Sequence, residues 1–274
     1  LLQDMRFDAN GMQFYDQLSP EGILGDMVAV NGKIQPVLRV ARRKYRLRVV
    51  NGGPSRFYYL HIVTKNGTSL IQQPFIRIGT DGNLLPRPLH NHRRIEIAPA
   101  ERADVVIDFS VYPIGTELFL VDRQVQLDTR GPAGLGATRD LLKIVVDREP
   151  PEPDVSRVPL LLRGLPTISA AEIASAPVRR FAFDRNNGQW AINNQLFDVE
   201  IPSVTVRKGS YEIWELVNPS GGWHHPIHIH LEEGRVLSMT MLETGVNVAI
   251  PPENQGRRDV YVLPPNSMMR VFVR

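Results

Sequence analysis

GSYEIWELVNPSGGWHHPIHIHL, residues 209–231, decides how this chain is read. Strand signals run over Glu212 to Val217 and again over His225 to Leu231. Four of the chain's seven histidines fall between His224 and His230, its only dense group of metal-capable side chains. A strand sends residues i and i+2 to the same side. His228 and His230 therefore face one way, close enough to serve one metal centre. His225 stands an odd number of residues from both and tends to the other face. Pro226 removes a backbone donor and stiffens the chain between them. One strand can thus address two separate sites. Neutral imidazole suits copper, zinc, iron and nickel. Each site still needs ligands from elsewhere, since copper and zinc take about three or four. Two histidines at i, i+2 are a common accident, whereas three at this spacing on an apolar strand are much less so. A metal site is favoured over a purely structural histidine group.

Outward from this segment, strand-like runs dominate. Asp26 to Val30 is followed by the turn pair Asn31-Gly32. Val37 to Val50 alternates, with Arg42, Lys44, Arg46 and Arg48 on one face and Tyr45, Leu47 and Val49 on the other. That basic row reads as a solvated strand face, or one lined by another domain, ahead of an anion site. Phe57 to Val63, Ile76 to Gly79, Arg94 to Ile97, Asp104 to Phe109, Glu117 to Val121 and Leu141 to Val146 are further short strands. Turn residues such as Thr80-Asp81-Gly82-Asn83 separate them. Glu149 to Pro159 (EPPEPDVSRVP) is rich in proline and charge and reads as a linker. A short helix is expected over Ser169 to Ala176. Strands are expected at Phe181 to Phe183, Trp190 to Asn193, Val204 to Val206, Val260 to Leu263 and Met269 to Val273. The fold class is all-β, an antiparallel sandwich or barrel in two domains, 1–148 and 160–274, joined by 149–159.

Composition narrows the function classes. The 274 residues allow one large or two ordinary domains, and 22 prolines with 21 glycines favour short strands joined by turns. The net charge of +3 comes from scattered Lys and Arg rather than a massed basic tail, so nucleic acid is not expected as a partner. There is no cysteine, which excludes disulfides and thiolate metal ligands within this chain. No apolar run approaches the roughly 18 residues of a membrane-spanning helix. The opening LLQDMRFDANG has no signal-peptide pattern and no initiating Met, so the natural start is expected elsewhere.

The motif His225-Pro226-Ile227-His228-Ile229-His230 resembles the His-Pro-x-His-x-His segment in the last domain of multicopper oxidases. GDMVAVNGKIQPVLRV (25–40), YRLRVVNGGPSRFYYL (45–60), IGTDGNLLPRPL (78–89) and IEIAPAERADVVIDF (95–109) look like the second domain of the bacterial laccase and bilirubin-oxidase branch. WAINNQLFD (190–198), the 209–231 segment and DVYVLPPNSMMRVFVR (259–274) look like the third. The resemblance implies cupredoxin-like Greek-key β-sandwich domains. It implies an oxidase that removes single electrons from a small-molecule or metal-ion reductant and reduces dioxygen to water. Carried over by motif position, His225 would bind the type 1 copper, His228 the type 2 copper and His230 one type 3 copper. Extracellular, periplasmic or spore-coat placement would follow from the same resemblance.

The departures matter equally. The family's two His-x-His segments of the first domain have no counterpart. The late His-Cys-His segment, with its downstream His and axial Met, is absent too. A blue copper site cannot form within this chain, which reads as a fragment lacking an N-terminal cupredoxin domain and a C-terminal ligand segment, and which is expected to be inactive alone. The competing expectation is a non-catalytic cupredoxin-like copper-binding or structural protein with a vestigial histidine cluster.

Other residues carry less. A cupin would need a Glu four or five residues after the second His, where Gly234 and Arg235 stand. His90-Asn91-His92 lies in a polar, proline-bearing stretch and is expected in a surface loop. His61 is expected to pack in a strand, and His224 to lie beside a metal site rather than in it. Met239, Met241, Met268 and Met269 are expected to be packing residues. Asn66-Gly67-Thr68 fits a glycosylation acceptor. No Ser-His-Asp or paired-carboxylate arrangement and no phosphate-binding glycine loop stands out.

Overall fold

A computed structural model describes residues 1–16, 18–19 and 21–274. The chain forms two compact units, Leu1–Arg163 and Gly164–Arg274.

In the first unit the strands are β1 (Leu2–Phe7), β2 (Gln13–Phe14), β3 (Met27–Val30), β4 (Lys33–Ile34), β5 (Val37–Ala41), β6 (Lys44–Val50), β7 (Tyr58–Asn66), β8 (Ser69–Gln72), β9 (Phe75–Thr80), β10 (Asn83–His92), β11 (Ile95–Ile97), β12 (Arg102–Asp108), β13 (Glu117–Val125) and β14 (Gly134–Arg148). They pair as β2-β1-β3-β4, as β10-β9-β12-β6 and as β11-β7-β13-β14-β5, with β8 added to β7. The expected turn joins β3 to β4, with Asn31 at φ 50° and Gly32 at φ 78°. Two successive positive φ angles match the twist of the flanking strands, which is why Asn-Gly sits there. The core is the inward set of alternating apolar residues, including Leu60, Ile62, Phe75, Ile95, Ile107, Leu118 and Ile144.

Several expectations need correction. Val37 to Val50 is two strands rather than one. β5 runs parallel to β14 and β6 antiparallel to β12, in different sheets. The corner between them is pinned by Arg42, whose guanidinium donates to the carbonyls of Tyr112 and Ser110 and to Glu149. Alternation alone cannot tell one long strand from two strands that turn a corner. The basic row is matched by carboxylates, with Arg46 on Asp104 and Lys44 near Asp108 and Asp154. His90 and His92 lie in β10, not in a loop. His90 is exposed, and His92 stands edge-on to Phe75 at 5.6 Å. Asn91 at φ 55° and a register shift between Leu89 and His92 bend the strand there, so the polar composition reflects the bend.

The 149–159 stretch is held to the first unit. The Asp154 carboxylate accepts from the Lys44 backbone N–H at 2.8 Å and from Ser156, bonds that hold it well below the usual carboxylate range. The Leu162 and Arg163 amides donate to the carbonyls of Pro86 and Leu85.

The second unit opens with helix α1 (Ala170–Ser175). Its capping box is complete, because Ser169 accepts from the Glu172 amide while the Glu172 carboxylate accepts from the Ser169 amide. Then come β15 (Val178–Asn186), β16 (Gln189–Ile192), β17 (Glu212–Asn218), β18 (His225–His228), β19 (Gly234–Met241), β20 (Arg257–Arg258), β21 (Val260–Leu263) and β22 (Ser267–Val273). Six of these pair in the order β16-β15-β17-β22-β19-β20, and β18 pairs with β21 as a two-stranded ribbon. Leu216, Tyr261, Leu263, Met269 and Val271 form the core, with Ile227, Ile229, Trp214 and Met239 packed against it. Met239 and Met269 oppose each other across β19 and β22, which makes them packing residues.

Val204 to Val206 forms no strand. β-branched residues favour a strand only where a neighbour offers a pairing edge, and no described strand pairs with this segment. The strand expected over His225 to Leu231 is shorter, ending at His228. The chain turns away at Leu231, whose φ is 70°.

Candidate metal centre

The ribbon places the three predicted ligands. His225 lies opposite Leu263, Ile227 opposite Tyr261 and His228 opposite Val260. The Ile229 amide donates to the Asp259 carbonyl at 2.8 Å, which carries the strand path one residue past β18. Ile227 and Ile229 pack on the core, so the residues between them face away. His228 and His230 are exposed, with ring centroids 4.7 Å apart and planes at 82°. Strand parity predicted that these two rings would meet. Asp259 Oδ1 stands 3.6 Å from His228 Nδ1, beyond hydrogen-bond distance.

His225 sits in different surroundings. Its ring lies edge-on to Trp190 at 5.1 Å and 85°. Trp190 is in turn edge-on to Trp223 at 5.0 Å. The Arg185 guanidinium lies over both indoles, 4.3 Å from the Trp190 centroid and 5.1 Å from that of Trp223. A cation over an aromatic face contributes about 0.5–1 kcal/mol when exposed and about 2 when desolvated. Burial pulls the His225 pKa down to about 4, with the neighbouring His224 acting in the same direction. The imidazole is therefore neutral at neutral pH, the form that ligates metals.

His225 Nε2 is buried and has no hydrogen-bond partner. A buried imidazole nitrogen without a partner costs free energy, unless a metal ion takes it as a ligand. That nitrogen, together with the two adjacent exposed rings, suits imidazole-loving metals such as copper. Among the described residues, however, no group of three or more His, Cys, Asp or Glu is gathered as a metal site. The histidines divide between two faces, and neither face holds a full ligand set.

The remaining histidines fall outside this arrangement. His61 is 4% exposed, and its Nδ1 lies 2.6 Å from the Arg93 carbonyl, with its pKa lowered by burial. His224 is half-buried beside His225. Sequence reasoning missed Arg185, Trp190, Trp223 and Asp259. A signal for the first two existed, since Asn187-Gly188 is a two-residue hairpin turn that sets Arg185 directly opposite Trp190.

The fold is a β-sandwich whose ribbon presents imidazoles on two faces. Residues 173–274 match the family described as Multicopper oxidase. The chain is 33% identical to a bilirubin oxidase of Albifimbria verrucaria over 95% of its length, spanning 45% of that relative. It is 28% identical to a laccase of Bacillus stratosphericus over its whole length, spanning 57% of that relative. Its fold matches the crystal structure of the McoA multicopper oxidase of Aquifex aeolicus with a TM-score of 0.81 at 24% identity, covering 100% of this chain and 57% of that one. Residues 173–274 thus carry the multicopper oxidase family's pattern, the fold of the chain is cupredoxin-like, and the cofactor that family implies is copper. It spans about half the length of these curated relatives.

Proposed function

We propose that this chain is part of a copper-dependent oxidase that couples one-electron oxidation of a reductant to the reduction of dioxygen to water. In it, 1–148 and 160–274 correspond to the family's second and third domains. The observation that carries the reading is the division of the histidines: His225 on one side with a buried, unpartnered Nε2, and His228 with His230 on the other, rings 4.7 Å apart. Copper, when bound, supplies one-electron redox chemistry at the His225 side and multi-electron chemistry at the other. His225 would offer a buried, neutral nitrogen from a ring held edge-on to Trp190. His228 and His230 would offer two nitrogens at one short spacing. The β18–β21 ribbon, locked by the Ile229–Asp259 backbone bond, would hold both faces in fixed relation.

The reductant, whether a phenol, a bilirubin-like tetrapyrrole or a metal ion, and dioxygen are the partners this reading requires. The chain alone is expected to turn over no phenolic substrate, because the ligand set is incomplete and no cysteine is present. The incomplete set also favours a second reading, a cupredoxin-like copper-binding or structural protein without catalysis.

The intact reading frame separates the two. Upstream His-x-His segments and a downstream His-Cys-His segment are expected, and their absence would remove the oxidase reading. On the isolated chain, copper(II) is expected to bind without a blue charge-transfer band, and His228→Ala with His230→Ala to abolish that binding. Retention of full affinity in the double variant would place the copper elsewhere.

A further inference from the structure

Arg185 has no assigned task, and its surroundings are unusual. It opens the β15–β16 hairpin turn and lies directly opposite Trp190 in the antiparallel register. Cross-strand partners share a face, so guanidinium and indole are brought together by the backbone itself. The guanidinium covers Trp190 at 4.3 Å and also reaches over Trp223 at 5.1 Å. Its Nε and Nη2 are buried with no hydrogen-bond partner, while Nη1 reaches the Gly188 carbonyl at 3.4 Å. A guanidinium normally satisfies its fork of donors with carboxylates or carbonyls. Here indole faces fill that place. Trp190, held by this cation, is the ring set edge-on to His225.

We propose that Arg185 is a positioning residue for His225: sandwiched against Trp190 and Trp223, it clamps the Trp190 ring across the imidazole and fixes the direction of Nε2. The clamp rests on the reading of His225 as a metal ligand only for its purpose, not for its geometry. A ligand whose lone pair already points the right way loses less freedom on binding.

The test uses this chain without metal and compares Arg185→Met with Arg185→Lys. Methionine keeps the length and apolar bulk but removes the cation. Lysine keeps a cation able to lie on an indole. Diethyl pyrocarbonate acylates accessible neutral imidazole nitrogens, and tandem mass spectrometry of the 224–230 peptide resolves each site. Exposed His228 and His230 serve as internal references. Wild-type His225 is expected to react slowly. Arg185→Met should raise its rate roughly tenfold relative to His228, the share of released rings expected when a hold of about 1.4 kcal/mol is lost. Arg185→Lys should recover most of the protection. In spectra of histidine-labelled protein, the His225 ring resonances should move in Arg185→Met while those of His228 and His230 stay in place.

Protection in Arg185→Met equal to wild type would overturn the clamp. So would equal loss in both variants, since charge would then play no part. A general fall in the stability of the second unit is recognised by a lower midpoint of its denaturant unfolding transition, and in that case the contrast between the two variants still decides. The ligand reading fails separately. If added copper(II) leaves the His225 resonances unbroadened while Arg185→Met still frees the ring, the clamp stands and His225 is not a ligand.

Discussion

The two units bury themselves differently. The first closes its core between sheets of several strands, and holds a buried ion pair. Asp4 accepts from the Gly25 amide at 2.6 Å and from Arg56 Nε at 3.1 Å, with side chains 0% and 8% exposed. The second faces a six-stranded sheet with a two-stranded ribbon. Its buried cluster is smaller, and Leu196, Phe197, Val199, Ile201 and Leu231 are exposed. The unit with less buried apolar surface carries the His224 to His230 segment. Apolar burial is the main favourable term in folding. The first unit is therefore expected to be the more stable scaffold and the second the more easily opened one.

All three tryptophans, Trp190, Trp214 and Trp223, lie in the second unit, so their fluorescence follows that unit alone. Denaturant unfolding watched by tryptophan emission should precede the loss of strand signal in far-ultraviolet circular dichroism. Coincident transitions would break the contrast. The largest single effect is expected in the first unit. Asp4→Ala leaves Arg56 buried without its partner and should cost about 3 to 5 kcal/mol, seen in the dichroism transition with the tryptophan transition unmoved. Next comes Leu263→Ala in the second unit, where Leu263 is 0% exposed. It should cost about 2 to 5 kcal/mol in the tryptophan transition, and a smaller loss would mean the ribbon side collapses to fill the gap.

A subtler difference concerns pH. Burial lowers the folded pKa of His61 below the ordinary imidazole value of about 6.5. A base whose folded pKa is depressed binds more protons unfolded than folded, so the first unit should lose stability as pH falls below 6.5. Melting temperatures measured from about pH 7.5 to about pH 5.5 should fall less steeply in His61→Gln. An unchanged slope would assign the effect to other groups. The smallest change is expected from Ser169→Ala, which removes the α1 cap and should cost about 1 kcal/mol or less, visible only in the tryptophan transition.

The all-β class, most strands and the capped helix were legible in the chain because each rests on short-range rules. Period-two alternation, an Asn-Gly turn and a Ser-x-x-Glu box act within a few residues. The errors share one cause. Val204 to Val206 has strand-forming residues but no described strand beside it, Val37 to Val50 turns a corner between sheets, and His90 with His92 ends a bent strand. Pairing is a property of what lies alongside, which a local pattern does not contain.

The histidine segment shows the same division. The imidazoles, their spacing and the opposition of His225 to His228 and His230 follow from the residue order, because strand parity is fixed by backbone geometry. What surrounds each imidazole follows from long-range folding. Trp190 and Arg185 arrive from a hairpin some thirty-five to forty residues upstream of His225. Asp259 comes to His228 from the partner strand's side of the ribbon. The burial that leaves Nε2 neutral and unpartnered arises from those distant side chains, since desolvation depends on everything packed around a group and not on its neighbours in the chain.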